Sequence, residues 1–339
     1  MPDAPIVSGR RLLRPMGVIR MGHMEAAVAG DPLGFLGSLA DDGRPGVTPL
    51  YIGPRLVHAV TAPDLVRAVL LADPRRYEAQ AKVRPPTAGE LVGHTVNAAV
   101  RARGLTADWR PGVEVDVTAA MDRYEPVDRG PIAIPSTITL LMQRFFPATD
   151  PGRGCLAALL RATLAWTWHE LASHPHAQAR LHAEVDTVLA GRPVTASDVP
   201  NLRYTRRVVS EVLRLHPVLL VMRTVVKPVR LGGIPLSPGA ELLLRPHSLH
   251  RDPELYPAPA QFDPDRWRAD RCAHLPRGAF VPFGYEDRGS FVWTELTVAV
   301  ATIATRWQLL PTLGRRLRAQ VSVVERPDRL VMVPQQRGV

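Results

Sequence analysis

The chain has 339 residues, 46% of them hydrophobic and 22% charged, enough to bury one large core or two smaller ones. Its 42 Lys and Arg outnumber 32 Asp and Glu, for a formal net charge of +10. The basic residues are scattered singly or in pairs and do not interleave with aromatics, which argues against a nucleic-acid surface. Two cysteines, Cys155 and Cys272, exclude a disulfide framework and a zinc site. Neither a signal-type apolar core nor a bilayer-length apolar run is present, so a cytoplasmic protein with no membrane span is expected.

Residues 31–40 (DPLGFLGSLA) read as a short amphipathic helix opened by Asp31 and Pro32. Two β-type runs follow, 47–53 and 55–60, divided by the turn pair Gly53-Pro54. Ala62-Pro63-Asp64 then opens a helix through LVRAVLLA. From 77 to 154 prolines chop the chain into short pieces, with a helix around 91–109 and a strand at 113–117 as the readable parts. Residues 156–172 and 175–190 read as two helices meeting at Ser173-His174-Pro175, and 202–216 as a third that Pro217 ends. Strands punctuated by Gly and Pro come next (RTVVKPVRL, GAELLLRPH), then an irregular proline-rich stretch over 251–284 and a last helix near 293–310. No internal repeat breaks this order, and a mainly α, α+β protein with minor sheets is expected.

Three motifs stand in order in the second half. Glu211-Val212-Leu213-Arg214 runs into Leu215-His216-Pro217; Phe262-Asp263-Pro264-Asp265-Arg266-Trp267 follows, and then Phe280-Val281-Pro282-Phe283-Gly284. A Glu and an Arg at i, i+3 are by themselves an ordinary surface pair. The ordered set, however, resembles the cytochrome P450 family. The resemblance implies a P450-like fold, mainly helical with small β-sheets and truncated in its distal roof region. It also implies that Glu211, Arg214 and Arg266 form a buried charge network, which burial tolerates only when every group is hydrogen-bonded. Residues 164–186 (LAWTWHELASHPHAQARLHAEVD) are similar to the end of the family's long central helix and the helix after it. The chain is read as a single domain over 1–339, with an N-terminal helix-and-sheet part (1–120) carrying deletions and a helical core and meander over 155–312.

The chain also departs from this pattern. Family members continue from Phe-Gly-x-Gly-x-Arg through x-Cys-x-Gly into a helix with Phe-Ala-x-x-Glu, and the cysteine ligates haem iron. Here the run reads Phe283-Gly284-Tyr285-Glu286-Asp287-Arg288-Gly289-Ser290-Phe291-Val292-Trp293-Thr294-Glu295. Aligning Ser290 with the cysteine makes a Cys→Ser change; aligning Phe291 and Glu295 with the family's Phe and Glu makes a deletion after Arg288. On either alignment Arg288, Gly289 and Ser290 mark a lost haem-ligand region without a thiolate. The stretch 156–161 has no acid–alcohol pair where the resemblance implies proton delivery to oxygen, and no Trp/Arg-bearing propionate helix follows Tyr77. Arg223 and Arg288 match positions that pair with haem propionates in the family. They read as anion-binding groups, through the planar fork of the guanidinium, or as surface or core-pairing arginines.

These departures lead to the expectation of a haem-free, shortened homologue with no cofactor. The leading reading is a non-oxidative enzyme of bacterial specialised metabolism that acts on an apolar-anionic ligand such as a prenyl diphosphate. Terpenoid cyclisation or rearrangement would follow, with Arg223 and Arg288 on the leaving group, Trp166, Trp168 and Trp293 as pocket aromatics facing cations, and Mg²⁺ if the substrate is a diphosphate. A second reading is a non-enzymatic partner that activates another biosynthetic enzyme such as a glycosyltransferase, as haem-free relatives in this family do. A third is a residual haem-binding monooxygenase. No catalytic residue and no metal ligand set is assigned: Asp122, Glu125 and Asp128 share helical spacing, but Pro126 interrupts them.

Overall fold

The computed structural model describes residues 46–52, 55–73, 75–79, 88–125, 155–218, 221–283, 289–312, 319–321 and 324–338. The helix expected at 31–40, the turn pair Gly53-Pro54, Asp128 and Arg288 lie outside them.

In the first half, β1 (Val47–Ile52) and β2 (Arg55–Val60) form an antiparallel pair with Val47 opposite Val60. Helix α1 (Pro63–Leu71) begins at a proline, whose fixed φ suits a first helical turn, and buries Val66 and Val69. After β3 (Tyr77–Ala79), α2 spans Ala88–Leu105, shorter at its C-terminal end than the helix read near 91–109. The strand expected at 113–117 shrinks to β4 (Val115–Asp116), because Asp116 leaves the strand to cap a helix. Its carboxylate accepts the Ala119 N–H at 3.1 Å at the start of α3 (Val117–Asp122).

The second half holds α4 (Cys155–Ser173), α5 (Pro175–Leu189) and α6 (Arg203–Leu215), with the break at His174 and the stop before Pro217 where proline chemistry sets them. Strand β5 (Val221–Val225), the hairpin β6 (Val229–Leu231) and β7 (Ile234–Leu236), and β8 (Glu241–Leu244) follow. Then come α7 (Pro246–His250), a 3₁₀ turn at Pro264–Trp267, α8 (Ala269–Cys272) and α9 (Gly289–Arg306). The last helix therefore ends earlier than its apolar pattern suggests. Trp307–Pro311 is instead β9, paired with β12 (Val331–Gln336), and β10 (Ala319–Val321) pairs with β11 (Glu325–Pro327). An apolar run of that length reads equally as buried helix or buried strand.

One sheet joins the two halves in the order β1-β2-β8-β5-β3, with β2 parallel to β8 and the other pairs antiparallel. The core is helical. In α4, Leu159, Leu160, Leu164, Trp168 and Leu171 are buried among α3, α5, α6 and α9. Helix α9 in turn packs on α2, α4, α5 and α6 through Leu296, Val300 and Ile303. Each large apolar side chain removed from water this way contributes about 1.5–3 kcal/mol. Among the described residues no helix is long and apolar enough to cross a membrane.

Candidate functional site

The charge-bearing motifs meet at the C-terminal half of α6. Glu211 and Arg214 are wholly buried there, one helical turn apart. Glu211 Oε1 accepts from Arg214 Nη2 (2.7 Å), the Asp263 N–H (3.0 Å) and Arg266 Nε (3.3 Å). Its Oε2 accepts from Arg214 Nε and Trp267 Nε1, both at 2.9 Å. Arg214 spends its remaining donors on carbonyls: Nη1 on His250 (2.9 Å) and Pro259 (2.7 Å), and Nη2 also on Gln261 (3.1 Å). Every N–H of that guanidinium is thus satisfied, which is the condition under which a buried charge is tolerable. Arg266 reaches Pro257 and Ala258 carbonyls (2.8 and 3.3 Å), and Ala258 takes φ +50° in the loop that turns these carbonyls inward. Tyr256 lies under both guanidiniums, 5.3 Å from Arg214 and 5.9 Å from Arg266.

From this network the structure passes to the Phe280-Val281-Pro282-Phe283 run. Tyr256 Oη donates to the Ala279 carbonyl (3.0 Å), the Val281 N–H donates to His250 Nε2 (3.0 Å), and the Val218 N–H to the Pro282 carbonyl (3.4 Å). Gly278, just before the run, has φ +76°, and a Cβ there would stand 2.7–2.9 Å from the Leu71 side chain of α1. Downstream, Phe280 and Phe283 each pack 5.8 Å from Trp293 of α9, whose outer face is covered by Arg206 at 5.9 Å. Two residues on, Glu295 is buried and accepts from Arg101 Nη2 of α2 (2.6 Å) and Tyr124 Oη (2.9 Å). Burial first, and the Glu295 carboxylate second, push the Tyr124 phenol well above its usual range, so it stays a donor. Arg161 of α4 donates to the Tyr124 carbonyl (2.7 Å), so three helices and the residue two past the end of α3 converge on this second cluster.

The other candidate residues are dispersed. Arg223 is buried in β5 and turns Nη1 back to the Met222 carbonyl (2.9 Å). Arg288 lies outside the described residues, and Gly289 and Ser290 enter only as the first backbone turn of α9. The three tryptophans make separate contacts. Trp168 has no exposed surface in the helical core. Trp166 stacks on His216 at 3.9 Å and donates Nε1 to the Glu325 carbonyl (2.8 Å), pinning the β10–β11 hairpin to α4. Trp293 belongs to the aromatic row beside Phe280. Asp122 pairs with Arg326 at 3.0 Å, and among the described residues no group of His, Cys, Asp or Glu could hold a metal ion, which removes the basis for a Mg²⁺ site at Asp122 and Glu125. Sequence reading passed over His250, Tyr124 and Glu295's partners, whose contacts join residues far apart in the chain.

A family model described as Cytochrome P450 matches residues 161–288, the part of the chain that holds α6, the charge network and the run after it. A solved cytochrome P450DA mutant haem domain superposes with a TM-score of 0.70 over 89% of this chain and 91% of that one, at 20% identity. The chain is a homologue of the cytochromes P450. Among curated relatives, cyclooctatin synthase of Streptomyces melanosporofaciens is 44% identical over 180 residues, 51% of this chain and 39% of that protein. Cyclooctat-9-en-7-ol 5-monooxygenase of the same organism is 42% identical over 161 residues (46% and 35%), and pentalenene oxygenase of Streptomyces avermitilis 39% over 152 (43% and 34%). The matches span about two fifths or less of these relatives' lengths.

These names correct two expectations. A monooxygenase and an oxygenase among the relatives overturn the non-oxidative reading on a prenyl diphosphate, and none of the three is named as an accessory protein. The expectation of no cofactor falls with it, because the P450 family and its haem-domain match imply haem. The chain shares that family's fold, and its sequence differs at the run where the resemblance places the ligand. The buried network and the hydrogen-bonded 279–282 backbone lead into the 283–295 run. No cysteine stands anywhere in 283–295; Cys155 opens α4, and Cys272 is a half-exposed free thiol closing α8. The thiolate that donates charge to iron in this chemistry is therefore not supplied by the run itself.

Proposed function

We propose that the chain serves the oxidative tailoring of a terpenoid, as a haem protein on a cytochrome P450 scaffold whose 283–295 run offers no cysteine to the iron. The observation that carries this reading is the 39–44% identity to three proteins named for cyclooctatin and pentalenene chemistry. Haem would supply the oxidising chemistry. This chain's own contribution is structural: Glu211, Arg214 and Arg266 hold the proximal side rigid, and Arg223 is the charged group in β5 proposed to face an anionic edge of the cofactor. The work of the protein here is binding and orientation rather than bond-making.

The test is an optical titration of the full chain with haem, followed by turnover assays on polycyclic terpene hydrocarbons and alcohols with an electron donor. A Soret band that saturates at one haem per chain, and a hydroxylated product, are expected. A protein with a normal melting transition that takes up no haem overturns the reading. Arg223→Leu should weaken haem uptake while leaving the melting temperature of the unloaded chain within a few degrees.

A further inference from the structure

His250, the last residue of α7, lies at a junction that the charge network alone does not explain. Its carbonyl accepts Arg214 Nη1 at 2.9 Å, which ties its backbone to the buried network. Its ring nitrogen Nε2 accepts the Val281 N–H at 3.0 Å, which ties its side chain to the run leading into the proximal loop. An imidazole nitrogen that accepts a hydrogen bond carries no proton, so the ring must be the neutral Nδ1–H tautomer. The surroundings enforce that state. The residue has no exposed surface, and burial first, then the Arg214 charge, hold its pKa well below the usual 6.5. Phe280 and Tyr256 wall the ring at centroid distances of 5.3 and 6.5 Å. Among the described residues Nδ1 meets no hydrogen-bond partner, an arrangement that costs stability and is kept while Nε2 points at Val281.

We propose that His250 is a positioning residue, a hydrogen-bond acceptor that couples the Glu211–Arg214–Arg266 network to the Val281 backbone and so sets where the 283–295 run begins. Leucine would fill the same volume, but without a lone pair it would leave a buried N–H at Val281 unmatched. Glutamine places an amide oxygen at a reach similar to that of Nε2. The consequence for the cofactor rests on the function proposed above; the hydrogen bond does not.

The experiment uses the full chain with ¹⁵N-labelled histidine and amide hydrogen exchange, neither of which requires bound haem. In the wild type, His250 should show the neutral Nδ1–H pattern without titrating between about pH 5 and pH 8. His250→Leu should speed exchange at Val281 about tenfold while amides of α5 keep their rates, and His250→Gln should restore slow exchange. An Nε2–H tautomer in the wild type, or exchange at Val281 indifferent to the Leu substitution, overturns the proposal. Should His250→Leu fail to fold, the wild-type tautomer and the Gln variant decide. Haem uptake, measured separately, distinguishes failure of this assignment from failure of the functional reading.

Discussion

Glu211 shows how a single residue can be both expensive and secure. Five donors from Arg214, Arg266, Asp263 and Trp267 converge on one fully buried carboxylate. The cost of losing a partner therefore differs by position. Glu211→Ala leaves two buried guanidiniums without their counter-charge and should destabilise the protein by about 3–5 kcal/mol. Arg266→Ala leaves Glu211 with Arg214, the Asp263 N–H and Trp267 and should cost clearly less. Urea unfolding of both variants checks the order; equal losses would place Arg266 at the centre instead. Gly278→Ala tests a different constraint, since both the positive φ and the Leu71 contact oppose a side chain. A loss of about 1–3 kcal/mol is expected in the same assay. Glu211, Arg214 and Arg266 were legible because they sit in two motifs of fixed order. His250 was not, because its role depends on a backbone N–H at Val281 that no side-chain pattern records.

At the level of elements, boundaries came from local chemistry and failed where tertiary packing overrode it. Proline at 63, 175 and 217 set two helix starts and one stop, and the sequence carries those directly. The stretch from 307 to 311 continues the apolar pattern of α9 yet pairs with β12, and only the long-range partner decides between helix and strand. Helix α5 ends with Ala190 in the left-handed region at φ 46°, where its N–H closes on the Asp186 carbonyl. Glycine adopts that conformation without penalty, so Ala190→Gly should stabilise the protein by about 0.5–1 kcal/mol, read as a raised Tm. No gain would mean that the cap is not strained.

For the whole molecule, buried histidines dominate the response to acid. His182, on α5 facing β9, is lowered to about 4 by burial and by the Arg337 charge; His247 is lowered to about 3 by burial and by Arg245 and Arg251. His250 behaves likewise. Below the ordinary value of 6.5 the unfolded chain binds protons that the folded chain refuses, so stability falls as pH drops and recovers as it rises. Chemical denaturation between about pH 6.5 and pH 4.5 should follow a slope of more than one proton. A flat profile would mean that these imidazoles are protonated in the fold. The depressed Glu170 carboxylate, which burial opposes and His216 lowers, acts in the same sense only at still lower pH.

The parallel pairing of β2 with β8 sets a timetable for synthesis. Val57 to Val60 are hydrogen-bonded neighbours of residues 241 to 244, so the β1–β2 hairpin leaves the ribosome long before the strand that covers its edge exists. At ordinary elongation rates that wait is on the order of ten seconds or more. During it the hairpin presents an unpaired backbone edge, the feature through which nascent chains recruit chaperones or aggregate. Yield on expression should therefore depend on translation speed across the intervening residues, independently of any change to the finished fold.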